Sequence, residues 1–79
     1  MFINKSDDGK NNVCGLNIAR FRKALNISQR ELADRLQRAG LDLDKNAIQR
    51  IEAGKRFVTD IELIVLSQVL NKTLDELVY

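Results

Sequence analysis

Three times in this 79-residue chain a Ser or Thr is followed three positions later by Glu, directly ahead of apolar residues at helical spacing: Ser28 with Glu31, Thr59 with Glu62, and Thr73 with Glu76. In that arrangement the hydroxyl accepts from the N–H of the third helical residue, while the carboxylate reaches back to the N–H of the capping residue. Each pair satisfies donors that a helix start leaves orphaned. One such pair can arise by chance, but three, each leading its own apolar stripe, commit the chain to helices. Asp44 supplies a fourth start, since its carboxylate can accept in the same way. A further helix is carried by Leu16, Ile18, Phe21 and Leu25, most of which fall on one face. It ends before Asn26, a residue type suited to a left-handed stop.

The stripes define a core. The second helix offers Leu32, Ala33 and Leu36 and stops at Gly40; the third offers Ala47, Ile48, Ile51 and Glu52 and stops at Gly54. Leu63, Leu66, Ser67 and Leu70 face inward from the fourth, and Leu74 and Leu77 from the fifth. Proline is absent, only 4 glycines occur and aromatic residues make up 5%, a composition that favours helices over strands. The expected fold is all-α: a compact five-helix bundle over residues 16–79, preceded by a mobile arm over residues 1–15, where Asn, Lys, Ser, Asp and Gly follow one another without apolar periodicity.

The same inventory narrows the chemistry. With no histidine and a single cysteine, Cys14, zinc and transition-metal sites have too few ligands, and a serine or cysteine nucleophile has no imidazole to activate it. The expectations are no metal, no cofactor, no enzymatic activity and an inert thiol. A core this small asks for well-packed helices, with a partner subunit as further support. The short apolar runs and the lack of an apolar N-terminal segment ahead of a small-residue cleavage site point to the cytoplasm and away from membranes. Charge is divided unevenly: residues 16–56 hold ten Lys or Arg against five Asp or Glu, and residues 57–79 hold one against four. A basic stretch is ordinarily a solvated face, and becomes a candidate polyanion surface when spacing adds information.

Spacing does add it between Ile27 and Arg56. Two separated runs, Ile27-Ser28-Gln29-Arg30-Glu31-Leu32-Ala33 and Ala47-Ile48-Gln49-Arg50-Ile51-Glu52-Ala53-Gly54-Lys55-Arg56, stand in order with helices before and after them. They resemble the helix-turn-helix core of the phage-repressor (lambda-repressor-like) and Cro-like regulators of the XRE type, over residues 16–78. If the inward side of helix three is Ala47, Ile48, Ile51 and Glu52, then Lys45, Asn46, Gln49 and Arg50 point outward. The major groove admits a helix, and these four are types that reach base edges: Asn and Gln for adenine, Arg and Lys for guanine. The resemblance further implies that Gln29, at a helix N-terminus, bonds a DNA phosphate, that Lys55 and Arg56 grip the same backbone, and that Arg22 and Glu52 pair to join helix one to the reading helix. The chain departs from shorter members in the fourteen residues 34 to 47. That insertion predicts a longer second helix and a wider turn, anchored by Leu41 and Leu43 under the bundle, and bears most directly on the assignment of Lys45.

The expected function is a sequence-specific transcriptional regulator of double-stranded DNA, repressing by operator occupancy as a homodimer without a small-molecule ligand. The dimer surface is sought among the apolar residues left over by the core: Ile61, Ile64, Val65, Val69, Val78 and Tyr79. The rival reading is a protein-interaction module, such as an antitoxin-like adaptor, that keeps the fold without reading DNA. Its mark is an acidic or apolar outer face on helix three, and here that face is basic and amide-rich.

Overall fold

The computed structural model describes Lys5 and residues 9–79. Among these residues it contains five helices and no strand: α1 Gly15–Ala24, α2 Gln29–Arg38, α3 Lys45–Glu52, α4 Asp60–Leu70 and α5 Leu74–Val78. Each predicted start is a cap. Ser28 Oγ accepts from the Glu31 N–H at 3.0 Å, and Asp44 Oδ1 accepts from the Ala47 N–H at 2.8 Å. Thr59 with Glu62 and Thr73 with Glu76 close the full reciprocal box. Ser28 makes only half of one, because the Glu31 carboxylate turns along α2 toward Arg35 at 3.6 Å and Arg38 at 4.0 Å. Such a charge pair one turn away competes directly with the backward reach of a capping carboxylate. Asn26 adopts φ +57°, the left-handed stop after α1.

Residues 39–44 join α2 to α3, a wider connection than the usual turn of this motif. Leu43 is buried, Leu41 packs partly against the core, and the Gln37 amide donates to the Leu43 carbonyl at 3.2 Å. The core draws from every helix: Ile18, Leu32, Leu36, Ile48, Ile51, Leu66, Leu70 and Leu77 are fully enclosed, each worth about 1.5–3 kcal/mol relative to exposure. α3 lies against both α2 and α1, while α4 and α5 close the opposite side against α1. Two contacts bind α1 to the last helices. The Asn17 amide donates to the Leu77 carbonyl at 2.9 Å, and Lys72 Nζ lies 4.8 Å from the centre of the Phe21 ring, a favourable cation–aromatic arrangement.

Three residues expected in the core are exposed at its edge: Leu16 at 65% exposure, Leu25 at 46% and Leu74 at 44%. The inner face of α1 runs through Gly15, Ile18 and Arg22, and Leu16 is rotated off that line by one residue. Leu25 is the residue after the helix, and α5 is too short to bury two leucines on one side. Leu63 and Ser67 are half-buried. Of residues 1–15, expected as an arm, residues 1–4 and 6–8 lie outside the described residues. Near the end of that stretch Asn11 and Asn12 are bonded to carbonyls at and just beyond the end of α3, and Cys14 is buried. Among the described residues no helix is long and apolar enough to cross a membrane.

Candidate nucleic-acid interface

α3 is two turns long, and its sequence divides it cleanly. Ile48 and Ile51 are fully buried and Ala47 is half-buried, so the opposite face carries Lys45, Asn46, Gln49 and Arg50, all exposed. Asn46, Gln49 and Arg50 line a shallow depression of about 320 Å³ together with Ala53 and Lys55. Lys45, in the first turn, stands outside this hollow but on the same solvent side. The arrangement brings two amides, a guanidinium and two ammonium groups onto one surface, with no carboxylate among them.

What aims this surface is the polar cluster behind it. Among the described residues Arg22 is the one charged residue that is buried. Its Nε donates to Glu52 Oε2 at 2.7 Å and its Nη2 to Glu52 Oε1 at 3.0 Å, a two-point grip, while Nη1 donates to the Ile27 carbonyl at 2.8 Å. The hydrogen bond to Glu52 raises the Arg22 pKa from its ordinary value, against the opposing effect of burial. Gln29 Nε2 adds a third donor to Glu52 Oε1 at 3.0 Å. Glu52, the last residue of α3, is therefore held by α1 and by the first turn of α2 at once. Gln29 is thus part of this cluster, half-buried, with an amide proton already committed to Glu52.

The two cations after α3 part company. Lys55 is exposed at the edge of the hollow. Arg56 turns the other way: Nη1 and Nη2 donate to Glu62 Oε1 and Oε2, each at 2.9 Å, and Nη1 also donates to the Phe57 carbonyl at 3.0 Å. Glu62 in turn accepts from the Thr59 N–H at 2.9 Å. The Arg56 hydrogen bond comes first among the causes that hold the Glu62 carboxyl below its usual value, and the same bond raises Arg56. Arg56 thereby fastens the loop after α3 to the start of α4. Three of its five N–H donors are engaged in these bonds and its charge is paired with Glu62.

Sequence reasoning passed over Asn11 and Asn12, whose side chains bond the carbonyls of Lys55, Ile51 and Arg56. Two adjacent asparagines carry no local signal of such a role, since the partners lie some forty residues away in the chain. Ala53, which floors part of the hollow, was also missed; its exposure follows from its place just past the buried Ile51.

The likeness to known proteins matches this geometry. A family model described as helix-turn-helix matches residues 18–77. Among solved structures, the crystal structure of the restriction-modification controller protein C.AhdI from Aeromonas hydrophila is similar, with a TM-score of 0.68 and 28% sequence identity, covering 80% of this chain and 84% of that one. No curated protein matches the chain at a significant level. With the family match running from α1 to α5 and an exposed, carboxylate-free face on the helix that follows the turn, the chain belongs to the helix-turn-helix family and is a DNA-binding transcriptional regulator.

Proposed function

We propose that the chain reads one short DNA sequence by laying α3 in the major groove, and that it represses by occupying that site as a homodimer. The observation that carries the reading is the exposed face of α3, where Asn46, Gln49 and Arg50 share one hollow while Glu52 fixes the helix from behind. Arg50 suits a guanine edge, Asn46 and Gln49 suit adenine, and Lys45 extends the same face. Lys55 is placed to neutralise a phosphate. Gln29 can serve the backbone with the amide proton not given to Glu52, at the N-terminus of α2.

Support for two copies comes from apolar side chains that the core leaves uncovered. Ile61 is 67% exposed, Ile64 46% and Tyr79 93%, all on the acidic half of the chain. A second copy seated there leaves both α3 helices free to enter successive major grooves about 34 Å apart. The test is selection from randomised DNA by the purified protein, followed by Arg50→Ala. The variant should lose about 1–3 kcal/mol of discrimination at one base position while keeping most binding to random DNA. Equal weakening on selected and random sequences removes Arg50 from base reading. Failure of the parent protein to select any sequence at low salt points to a protein-interaction module.

A further inference from the structure

The carbonyls that a helix leaves free at its C-terminal end need donors from elsewhere. At the end of α3 the backbone supplies three of its own, from Ala53 N–H to the Gln49 carbonyl at 3.0 Å, from Gly54 N–H to the Ile51 carbonyl at 3.0 Å and from Lys55 N–H to the Arg50 carbonyl at 2.9 Å. Further bonds, a second one to Ile51 and those to the loop carbonyls beyond α3, come from residues that precede α1. Asn11 donates its backbone N–H to the Gly54 carbonyl at 2.8 Å and its side-chain amide to the Lys55 carbonyl at 3.0 Å. Asn12 Nδ2 donates to the Ile51 carbonyl at 3.1 Å and to the Arg56 carbonyl at 2.7 Å, while its Oδ1 accepts from the Gly15 N–H at 2.8 Å. One side chain thus joins the end of α3, the loop beyond it and the start of α1. The orientation of the amide is fixed by its partners, since two acceptors face the nitrogen and one donor faces the oxygen.

The backbones meet closely at the same place. A Cβ on Gly15 would overlap the Ile51 carbonyl oxygen and crowd Asn12 Oδ1, so only glycine lets α1 begin this near to the end of α3. α3 is eight residues long and is held at its first turn by the Asp44 cap. Its bearing, and the direction in which Gln49, Arg50 and Lys55 leave it, depend on how its other end is tied. Glu52 ties one side, through Arg22 and Gln29. Asn12 ties the other. Base-edge contacts tolerate displacements of only about 0.5 Å, so a loose end on a two-turn helix degrades readout before it degrades folding.

We propose that Asn12 is a positioning residue for sequence readout: by bonding Ile51, Arg56 and Gly15 together it sets the angle at which α3 presents Asn46, Gln49 and Arg50. The inference rests on the reading of α3 as the base-contacting helix. Two substitutions separate its parts. Asn12→Asp keeps an acceptor for the Gly15 N–H but sets a carboxylate against two carbonyl oxygens; Asn12→Ala removes every bond. Leu63→Ala, a partly buried change on the inner side of α4, serves as a control for loss of stability alone.

The experiment measures, for the full chain, the ratio of affinity for the selected DNA to affinity for random DNA of equal length, well below the unfolding temperature. Amide hydrogen exchange at Gly54 and Lys55 is followed alongside. Both Asn12 variants should lower the ratio roughly tenfold, about the loss of one base contact, and speed exchange at Gly54 and Lys55, while Leu63→Ala leaves the ratio within about twofold. Asn12→Asp reports even if Asn12→Ala fails to fold, because it retains the Gly15 bond. A ratio unchanged in Asn12→Asp overturns the proposal and leaves Asn12 as a cap for α1. A parent protein that selects no sequence overturns the underlying reading of α3 instead, and is seen before any variant is made.

Discussion

Arg22 occupies a place that hydropathy reserves for a leucine. It completes the inner face of α1, and it is tolerated there because every direction of its guanidinium meets an oxygen. Arg22→Ala removes that compensation and leaves Glu52 enclosed with only Gln29 as donor, which should cost about 3 kcal/mol, since breaking a buried pair strands its remaining charge. Thermal unfolding of Arg22→Ala, Glu52→Ala and the double variant checks this; additive losses would show that the two side chains do not couple. Lys55 poses the opposite case. It is exposed and near the hollow, so Lys55→Ala should leave stability almost unchanged, weaken binding to every DNA sequence and reduce the salt slope by about 1. Binding titrations over a salt series decide it. Arg56→Ala, by contrast, should act mainly on unfolding, because its guanidinium is paired at two points with Glu62.

Among the helices, α4 depends most on a titratable group at its start. Glu62 accepts from Thr59 and from Arg56, and its folded pKa lies below the usual value of 4.5. A depressed carboxyl stabilises the fold above its ordinary pKa and loses that contribution as pH falls through the folded value. Stability of the parent chain should therefore drop more steeply below about pH 4.5 than that of Glu62→Gln, which can keep the capping box but not the charge on Arg56. Denaturant unfolding of both proteins across the acid range tests it, and parallel curves would contradict the assignment. The capping residues were legible in the sequence because a cap is local: Ser28, Asp44, Thr59 and Thr73 act on residues three positions away. The outer face of α3 was legible because its inner face is plainly apolar. The Arg22 and Glu52 pair was legible only through the family resemblance, because its members lie thirty positions apart. What escaped falls outside helical spacing or turns on the exact phase of a helix: Arg56 drawn onto Glu62 in the next element, Asn12 bonded to Ile51 thirty-nine positions away, and Leu16 rotated off the inner line of α1.

Taken as one body, the protein has a basic side built on α3 and an acidic, partly apolar side built on α4 and α5. If the second side pairs with another copy, Ile64→Asp and Tyr79→Asp should weaken self-association and, with it, the affinity for a two-fold related DNA site. Val69 is a poorer place for that change, since it packs partly against the core. Sedimentation across concentrations, with stoichiometry on the DNA site, gives the answer; one protomer per two-fold site at saturation excludes the dimer. The uncovered position of Tyr79 has a practical consequence for such measurements. It is the only tyrosine of the chain, which has no tryptophan, and at 93% exposure its ring is already solvated in the folded protein. Its emission should therefore pass through unfolding with little change, so that a loss of backbone ellipticity goes unseen by fluorescence. Any shift in that emission on raising the protein concentration would instead report the arrival of a neighbouring molecule.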